Sequence, residues 1–280
     1  MNYTMASGII PVPMKYKQDT KVLIIGNGRA GKRHAKHAKQ LGLEIITCDP
    51  YQPADYRNWF HALSVENITH AVIASPPKMH LSQITGCLRN KVKVLCEKPL
   101  CDNGQLNTNT ISVINELIQN QQPVMVAYNW LYNDAVINYE LDTTKHSYYH
   151  LYAEQARELP EWGLAYDHLG HDFSIMTKIT GGIDCIKSVD HIIDEKEELE
   201  AYHIEGLTTA GIKFIIDERV YSPKRKIARF AKINNTLLYP DEYMFLNMWH
   251  NFMSDKYYPG LAKALEIQKL IDLTLQIAGK

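Results

Sequence analysis

Two patterns of apolar and polar residues succeed one another along the first half of the chain. Short, mainly apolar runs at Val22–Ile25, Leu43–Thr47, Ala71–Ala74, Val92–Cys96 and Val124–Ala127 read as strands, the first of them uninterrupted by charge and suited to burial on both faces, as in a parallel sheet. Between them, apolar residues recur three and four apart. That spacing predicts helices over Lys32–Leu41, Tyr56–Leu63, His80–Asn90 and Leu106–Asn120. Strand and helix alternating over about 110 residues predict an α/β unit built on a doubly wound parallel sheet. From Tyr128 onward the pattern changes. Strands are expected at Ser147–Gln155, Ile186–Ile193, Tyr202–Thr209 and Gly211–Asp217, with Lys226–Ile233 and Thr236–Tyr239 as further candidates. Helices are expected at Leu164–Ile179, stopped by Gly181-Gly182, and at Tyr243–Met253 and Gly260–Ile277. The scheme is an arm over residues 1–20, the parallel-sheet unit over 21–128, and an α+β unit with an open, largely antiparallel sheet over 129–280.

The first apolar run leads directly into Gly26-Asn27-Gly28-Arg29-Ala30-Gly31, then a basic helix, a second strand and Asp49. Strand, G-x-G-x-x-G, helix, strand and acid form the dinucleotide-binding fingerprint, the Rossmann pattern. Gly26 allows a sharp turn, Gly28 a close approach of backbone to a pyrophosphate, and Gly31 tight packing of helix on strand. The helix N-terminus offers unpaired N–H groups and a positive dipole end. A carboxylate at Asp49 suits the ribose hydroxyls of adenosine and opposes a 2′-phosphate, so NAD is favoured over NADP as cofactor.

Ligands of such sheets sit beyond the carboxyl ends of the strands. Ser75-Pro76, Glu97-Lys98-Pro99 and Tyr128-Asn129 all fall there. Proline ends the strand at Glu97 and fixes the exit of Lys98. By itself, a lysine at a strand end is more often solvated surface. Further on, Asp167 and His171 are four apart on the helix expected from Leu164, so both face one way, and a carboxylate beside an imidazole orients it and raises its basicity. Taken bare, that pair is more often a surface pair or a satisfied core histidine. His168 and Asp172 form a second pair one residue on, and His168 with His171 has spacing compatible with a metal, although no metal is expected.

Composition changes little. Hydrophobic residues make up 45% and charged residues 22% of the 280, and net charge is −1, which gives no basis for a nucleic-acid or membrane partner. No apolar run has signal-peptide or membrane-span length. Five cysteines without a C-x-x-C pair fit reduced thiols, hence a cytoplasmic protein.

The set G-x-G-x-x-G, Ser75-Pro76-x-x-x-His80, Glu97-Lys98-Pro99 and Asp167-x-x-x-His171 resembles the glucose–fructose oxidoreductase / inositol dehydrogenase family (Gfo/Idh/MocA). The likeness is strong in the first unit and thinner in the second. It implies that Lys98 is catalytic, that the Lys98–Pro99 peptide is cis, and that Asp167 and His171 serve acid–base chemistry. It also implies a homodimer or homotetramer assembled on the open sheet. The cofactor-binding set expected is Gly26, Asn27, Gly28, Arg29, Ala30, Gly31, Asp49, Ser75, Pro76, His80, Glu97 and Lys98. Asn129, Tyr149, Arg157 and Trp162 are candidate contacts to a polyol or sugar-like substrate. The sequence departs from the family with leucine in Asn129-Trp130-Leu131-Tyr132-Asn133, where arginine is common, and in a glycine-rich approach reduced to Gly163. The expected activity is hydride transfer between a nicotinamide cofactor and a secondary alcohol. The alternative is a non-catalytic dinucleotide sensor of the same fold.

Overall fold

The computed structural model describes residues 16, 19–102, 104–139, 148–158, 163–227, 229–240 and 243–280. The arm expected over 1–20 lies almost wholly outside the described residues, and Trp162 lies outside them too. Five strands form the parallel sheet: β1 (Lys21–Ile25), β2 (Glu44–Cys48), β3 (His70–Ile73), β4 (Lys93–Cys96) and β5 (Val124–Val126), in the order β2-β1-β3-β4-β5. Every pairing is parallel. Helices α1 (Arg29–Gln40), α2 (Trp59–Val65), α3 (His80–Arg89) and α4 (Thr108–Gln119) make the crossovers. Val22, Leu23, Ile24, Val72 and Leu95 have no exposed surface, which explains why these strands show no polar alternation.

Strand order reverses between β1 and β3, the switch point beyond whose strand ends ligands of such sheets bind. Backbone bonds hold these ends. Ala74 N–H donates to Ile25 O at 2.7 Å, and Glu97 N–H to Ile73 O at 2.8 Å. The turn at Gly26, the exit at Ser75 and the exit at Glu97 are thereby set side by side.

After a 3₁₀ turn at Asn129–Tyr132 and the short α5 (Asp134–Ile137), the second sheet begins. It comprises β6 (Tyr148–Ala156), β7 (Ile183–Asp194), β8 (Leu199–Thr208), β9 (Lys213–Tyr221), β10 (Phe230–Ile233) and β11 (Thr236–Leu238), ordered β11-β10-β6-β9-β8-β7. It is largely antiparallel, as expected, except that β6 and β9 run parallel from Tyr148↔Lys213 to Ala156↔Tyr221. The reason is topological. The helix α6 (Gly170–Thr180) returns the chain across the sheet, so β7 runs the same way as β6, and two hairpins later so does β9. Strict alternation along β6 and β9 buries Tyr149, Leu151, Phe214 and Ile216 on one face, while the opposite face stays half exposed.

The carboxy-terminal helices α7 (Tyr243–Met253) and α8 (Leu261–Ile277) come back to the first sheet. Val126 N–H donates to Pro259 O at 2.9 Å, and His37 of α1 stacks on Phe245 of α7 with ring centroids 5.3 Å apart. The helix expected over Leu164–Ile179 is not a uniform α-helix. It starts with a π turn, Ala165–Leu169, and becomes α-helical only at Gly170. Such turns are wider, and they occur frequently at functional sites. The helix ends where glycine was expected to end it, with Gly181 at φ 80°.

Candidate active site

The glycine motif makes a backbone cradle. Gly26 has φ +97°, and a Cβ there would meet Ala74 O at 2.5 Å. A Cβ on Gly31 would lie 1.8 Å from Gly26 O, so the helix touches the turn directly. Gly28 differs. It is the N-cap of α1, without a side-chain cap, and a Cβ there would meet nothing within 4 Å. The first N–H groups of α1 therefore face open space, with no acid in the first turn and with Arg29 exposed. Such a terminus suits an anion, and a pyrophosphate fits the room left by the missing Cβ.

Asp49 stands at the end of β2, as expected, and its carboxylate is already engaged by backbone. Oδ2 accepts from Asn27 N–H at 2.7 Å, and Oδ1 accepts from Tyr51 and Gln52 N–H, each at 2.8 Å. Burial opposes ionisation, but these three donors outweigh it and hold the carboxyl below its ordinary range. Asp49 thus clamps the glycine turn to the β2 loop.

At the next two strand ends, side chains lock loops together. Ser75 Oγ donates to Gln83 Oε1 at 2.6 Å. Pro76 N-caps a 3₁₀ turn, Pro77–Met79, that leads into α3. His80 is buried, with Nε2 2.8 Å from Ser75 O and Nδ1 2.8 Å from Pro99 O. It joins the β3 exit to the β4 exit from behind, which corrects the expectation of a direct cofactor contact: the ring has no open face. Glu97 likewise turns inward. Its Oε1 lies 3.0 Å from His34 Nε2 and 3.7 Å from Arg33 Nη2, tying β4 to α1. Burial raises its pKa, but those two basic groups and Lys98 bring it down to about 2.

Lys98 leaves the sheet in the opposite direction. The Lys98–Pro99 peptide is cis. Lys98 Nζ donates to Asp167 Oδ1 at 2.9 Å and also to the backbone carbonyl of Asp167. Two residues 69 apart in sequence thus meet, one from each unit. Asp167 Oδ2 lies 3.1 Å from Arg157 Nη1 and 3.0 Å from His168 Nε2. Burial works against the carboxylate, but Lys98, His168 and Arg157 together hold it far below the usual range.

The expected Asp167–His171 pair is not formed. Asp167 contacts His168 instead, because π geometry no longer stacks residues four apart. His171 is buried one turn on, edge-on to the Tyr128 ring at 6.3 Å, with Nδ1 lacking a partner. Burial and the charges of Lys98 and Arg229 push its pKa well below the ordinary value, so the ring is neutral. Lys98 thus contacts Asp167 directly, while His171 only senses the Lys98 charge.

The candidate substrate contacts divide. Arg157 sits on Asp167, at the mouth of the cluster. Asn129 is nearly buried, with Nδ2 3.6 Å from Met244 Sδ. Tyr149 is fully buried on the inner face of β6, which corrects its assignment: strand alternation directs it into the core. Among the described residues no three His, Cys, Asp or Glu side chains are grouped to hold a metal. Missed in the sequence were His34 and Arg33 as partners of Glu97, and Glu218, whose Oε1 is 3.1 Å from His168 Nδ1. The signal for Glu218 was available: it is the acid among the inward positions Phe214, Ile216 and Val220 of β9.

With fold and cluster in place, likeness to known proteins can be set beside them. Residues 20–128 match the GFO_IDH_MocA family, described as "Oxidoreductase family, NAD-binding Rossmann fold". This stretch belongs to the Gfo/Idh/MocA oxidoreductase family. Beyond it, the likeness is structural. A putative myo-inositol dehydrogenase from Sinorhizobium meliloti superposes with a TM-score of 0.76 at 14% identity, covering 93% of this chain and 97% of that one. The WlbA dehydrogenase from Thermus thermophilus, solved with NAD and UDP-GlcNAcA, gives 0.71 at 17% identity, covering 91% and 94%. At these identities what is shared is the fold alone. Among curated proteins, the formate-dependent phosphoribosylglycinamide formyltransferase of Vibrio vulnificus is 31% identical over 87 residues, 29% of this chain. That match spans 22% of the relative's length.

Proposed function

We propose that this chain is an NAD-linked dehydrogenase that oxidises a secondary alcohol of a polyol, cyclitol or sugar derivative, and reduces the corresponding ketone. The observation that carries this reading is the contact of Lys98 with Asp167 at the mouth of the dinucleotide crevice. NAD, when bound, supplies the hydride acceptor. The glycine turn and the α1 terminus bind the pyrophosphate, and Asp49 with its loop faces the adenosine ribose. Lys98 donates a hydrogen bond to the substrate oxygen and stabilises the negative charge that develops there. His171, neutral and with Nδ1 free of any partner, is the group assigned to accept the hydroxyl proton, and it must do so against burial and the Lys98 and Arg229 charges, which lower its basicity. Asp167, braced by Arg157 and His168, holds the Lys98 ammonium in place. The structural neighbours, a putative myo-inositol dehydrogenase and a dehydrogenase solved with NAD and UDP-GlcNAcA, support the substrate class.

The test is a panel of cyclitols, sugars and nucleotide sugars assayed with NAD and NADP by nicotinamide absorbance, on the wild type and on Lys98→Ala. The variant is expected to bind NAD as the wild type does, with turnover lower by about 10²- to 10⁴-fold. Turnover retained in the variant would remove Lys98 from the reaction. NAD binding without turnover on any substrate would favour the sensor.

A further inference from the structure

Behind Lys98 and Asp167 lies a second row of buried polar groups that the proposed reaction does not use. His168 is fully buried, and its ring stands between two acids: Nε2 is 3.0 Å from Asp167 Oδ2, and Nδ1 is 3.1 Å from Glu218 Oε1. Glu218 and Asp172 are each 1% exposed and face one another from β9 and α6. Gln155 Nε2, which can only donate, is 2.5 Å from Nδ1 and 2.9 Å from Nε2, so the shorter contact favours a lone pair on Nδ1.

The protons can be assigned from these contacts. Asp167 is ionised, since Lys98 and Arg157 both lie on it. The 3.0 Å approach of His168 Nε2 is then attractive only with a proton on Nε2. A neutral ring so arranged turns the lone pair of Nδ1 toward Glu218 Oε1. That contact is favourable only if Glu218 carries a proton to donate. Two carboxyls facing each other out of water do not both ionise, so one proton between Glu218 and Asp172 is the expected state.

We infer that Glu218 is a buried carboxylic acid that holds His168 in its Nε2–H form, and that the two are positioning residues that fix Asp167, and through it Lys98, from behind the site. The role at Lys98 rests on the function proposed above, but the arrangement of protons does not. The groups facing Glu218 are His168 and Asp167 from the π turn, Asp172 from α6, Arg229 ahead of β10, and Tyr202 across the ladder from β8. Burial, and then Asp172, raise the Glu218 pKa well above the ordinary carboxylate value. Arg229 opposes them, with its guanidinium 5.0 Å from the Trp130 ring centroid. At high enough pH Glu218 loses its proton, a lone pair then faces a carboxylate, and the ring's hold on Asp167 weakens.

The test combines imidazole ¹⁵N NMR of the full chain, without substrate, with kinetics of four variants. His168 is expected as the neutral Nε2–H tautomer from about pH 5 to about pH 9, without the transition near 6.5 of a free histidine. Glu218→Ala should let His168 titrate and lower kcat about ten-fold or more, with KM and NAD affinity unchanged. Glu218→Gln, which keeps a neutral donor to Nδ1, should recover most of that loss while removing the alkaline limb of the kcat profile. His168→Gln, which keeps a donor aimed at Asp167, should likewise recover part of what His168→Leu loses. An Nδ1–H tautomer or an imidazolium in the wild type at neutral pH overturns the inference, as do Glu218→Ala and Glu218→Gln profiles of identical shape. The expected tautomer with no turnover on any substrate sinks the proposed function alone. The wrong tautomer with Lys98-dependent turnover sinks this inference alone.

Discussion

Gly28 and Gly31 sit in one motif but answer to different physics, so replacing each with alanine separates folding from binding. At Gly31 the new Cβ would be 1.8 Å from Gly26 O and 2.9 Å from Gly26 C. Carbon and oxygen settle about 3.3 Å apart, so helix and turn would have to separate by roughly 1.5 Å. Neither neighbour is a flexible side chain. The turn itself is held by φ +97° at Gly26, where a Cβ would already meet Ala74 O at 2.5 Å. Overpacking of this kind costs about 1–3 kcal/mol, and more where backbone has to move, against about 1 kcal/mol gained from alanine's helix propensity. Because both neighbours are backbone the upper end of that cost applies, so a net loss of about 2 kcal/mol follows, which lowers Tm by about 4–8 °C. At Gly28 nothing lies within 4 Å and φ is −75°, so alanine costs only the weaker N-cap, about 1 kcal/mol or less. Its methyl, however, stands where a pyrophosphate would approach backbone. NAD affinity is expected to fall by about ten-fold or more, equivalent to about 1.4 kcal/mol. Thermal melts read the first effect, and calorimetric or fluorescence titration with NADH the second. A Gly28→Ala chain that binds NADH like the wild type, or a Gly31→Ala chain that melts like it, refutes the reasoning.

Further outcomes follow from the other contacts. Asp49→Ala releases three backbone N–H groups, so both a lower NAD preference over NADP and a stability loss of about 1–3 kcal/mol are expected, read by the ratio of kcat/KM values and by urea melts. Glu97 has its folded pKa near 2 against an ordinary 4.5, so its stabilisation is complete above 4.5 and disappears as pH falls toward 2. That is about 3 kcal/mol, and Glu97→Gln should flatten this part of the stability–pH curve. His70 and His168 are depressed from 6.5 to about 4 and about 3, so both stay neutral in the fold while the unfolded chain protonates. Stability is then full above 6.5 and falls as pH drops, by about 1.4 kcal/mol per pH unit for each histidine. His70→Gln should reduce that slope in denaturant titrations at mildly acidic pH, and an unchanged slope would show that His70 is solvated.

Features that local backbone demands were legible in the sequence. The five apolar runs became the parallel strands, and in β1, β3, β4 and β5 burial on both faces leaves little room for polar alternation, whereas β2, at the sheet edge, exposes Glu44. Gly26, Gly31 and Gly181 were readable because their roles depend on neighbours in the chain: a left-handed turn, a helix touching that turn, a helix end. Tertiary structure decided where side chains go. The alternation of β6 was visible, but that its inner side carries Tyr149 into the core depends on which face the rest of the fold covers. The spacing of Asp167 and His171 suggested a pair only on an ideal α-helix, and the π turn gave Asp167 to Lys98, Arg157 and His168 instead. Glu218 meets His168 across 50 residues of chain, with a helix and two strands between them and Glu218 itself on the third strand. Such contacts have no signature at short range, because they are chosen by the packing of whole elements once the chain has folded.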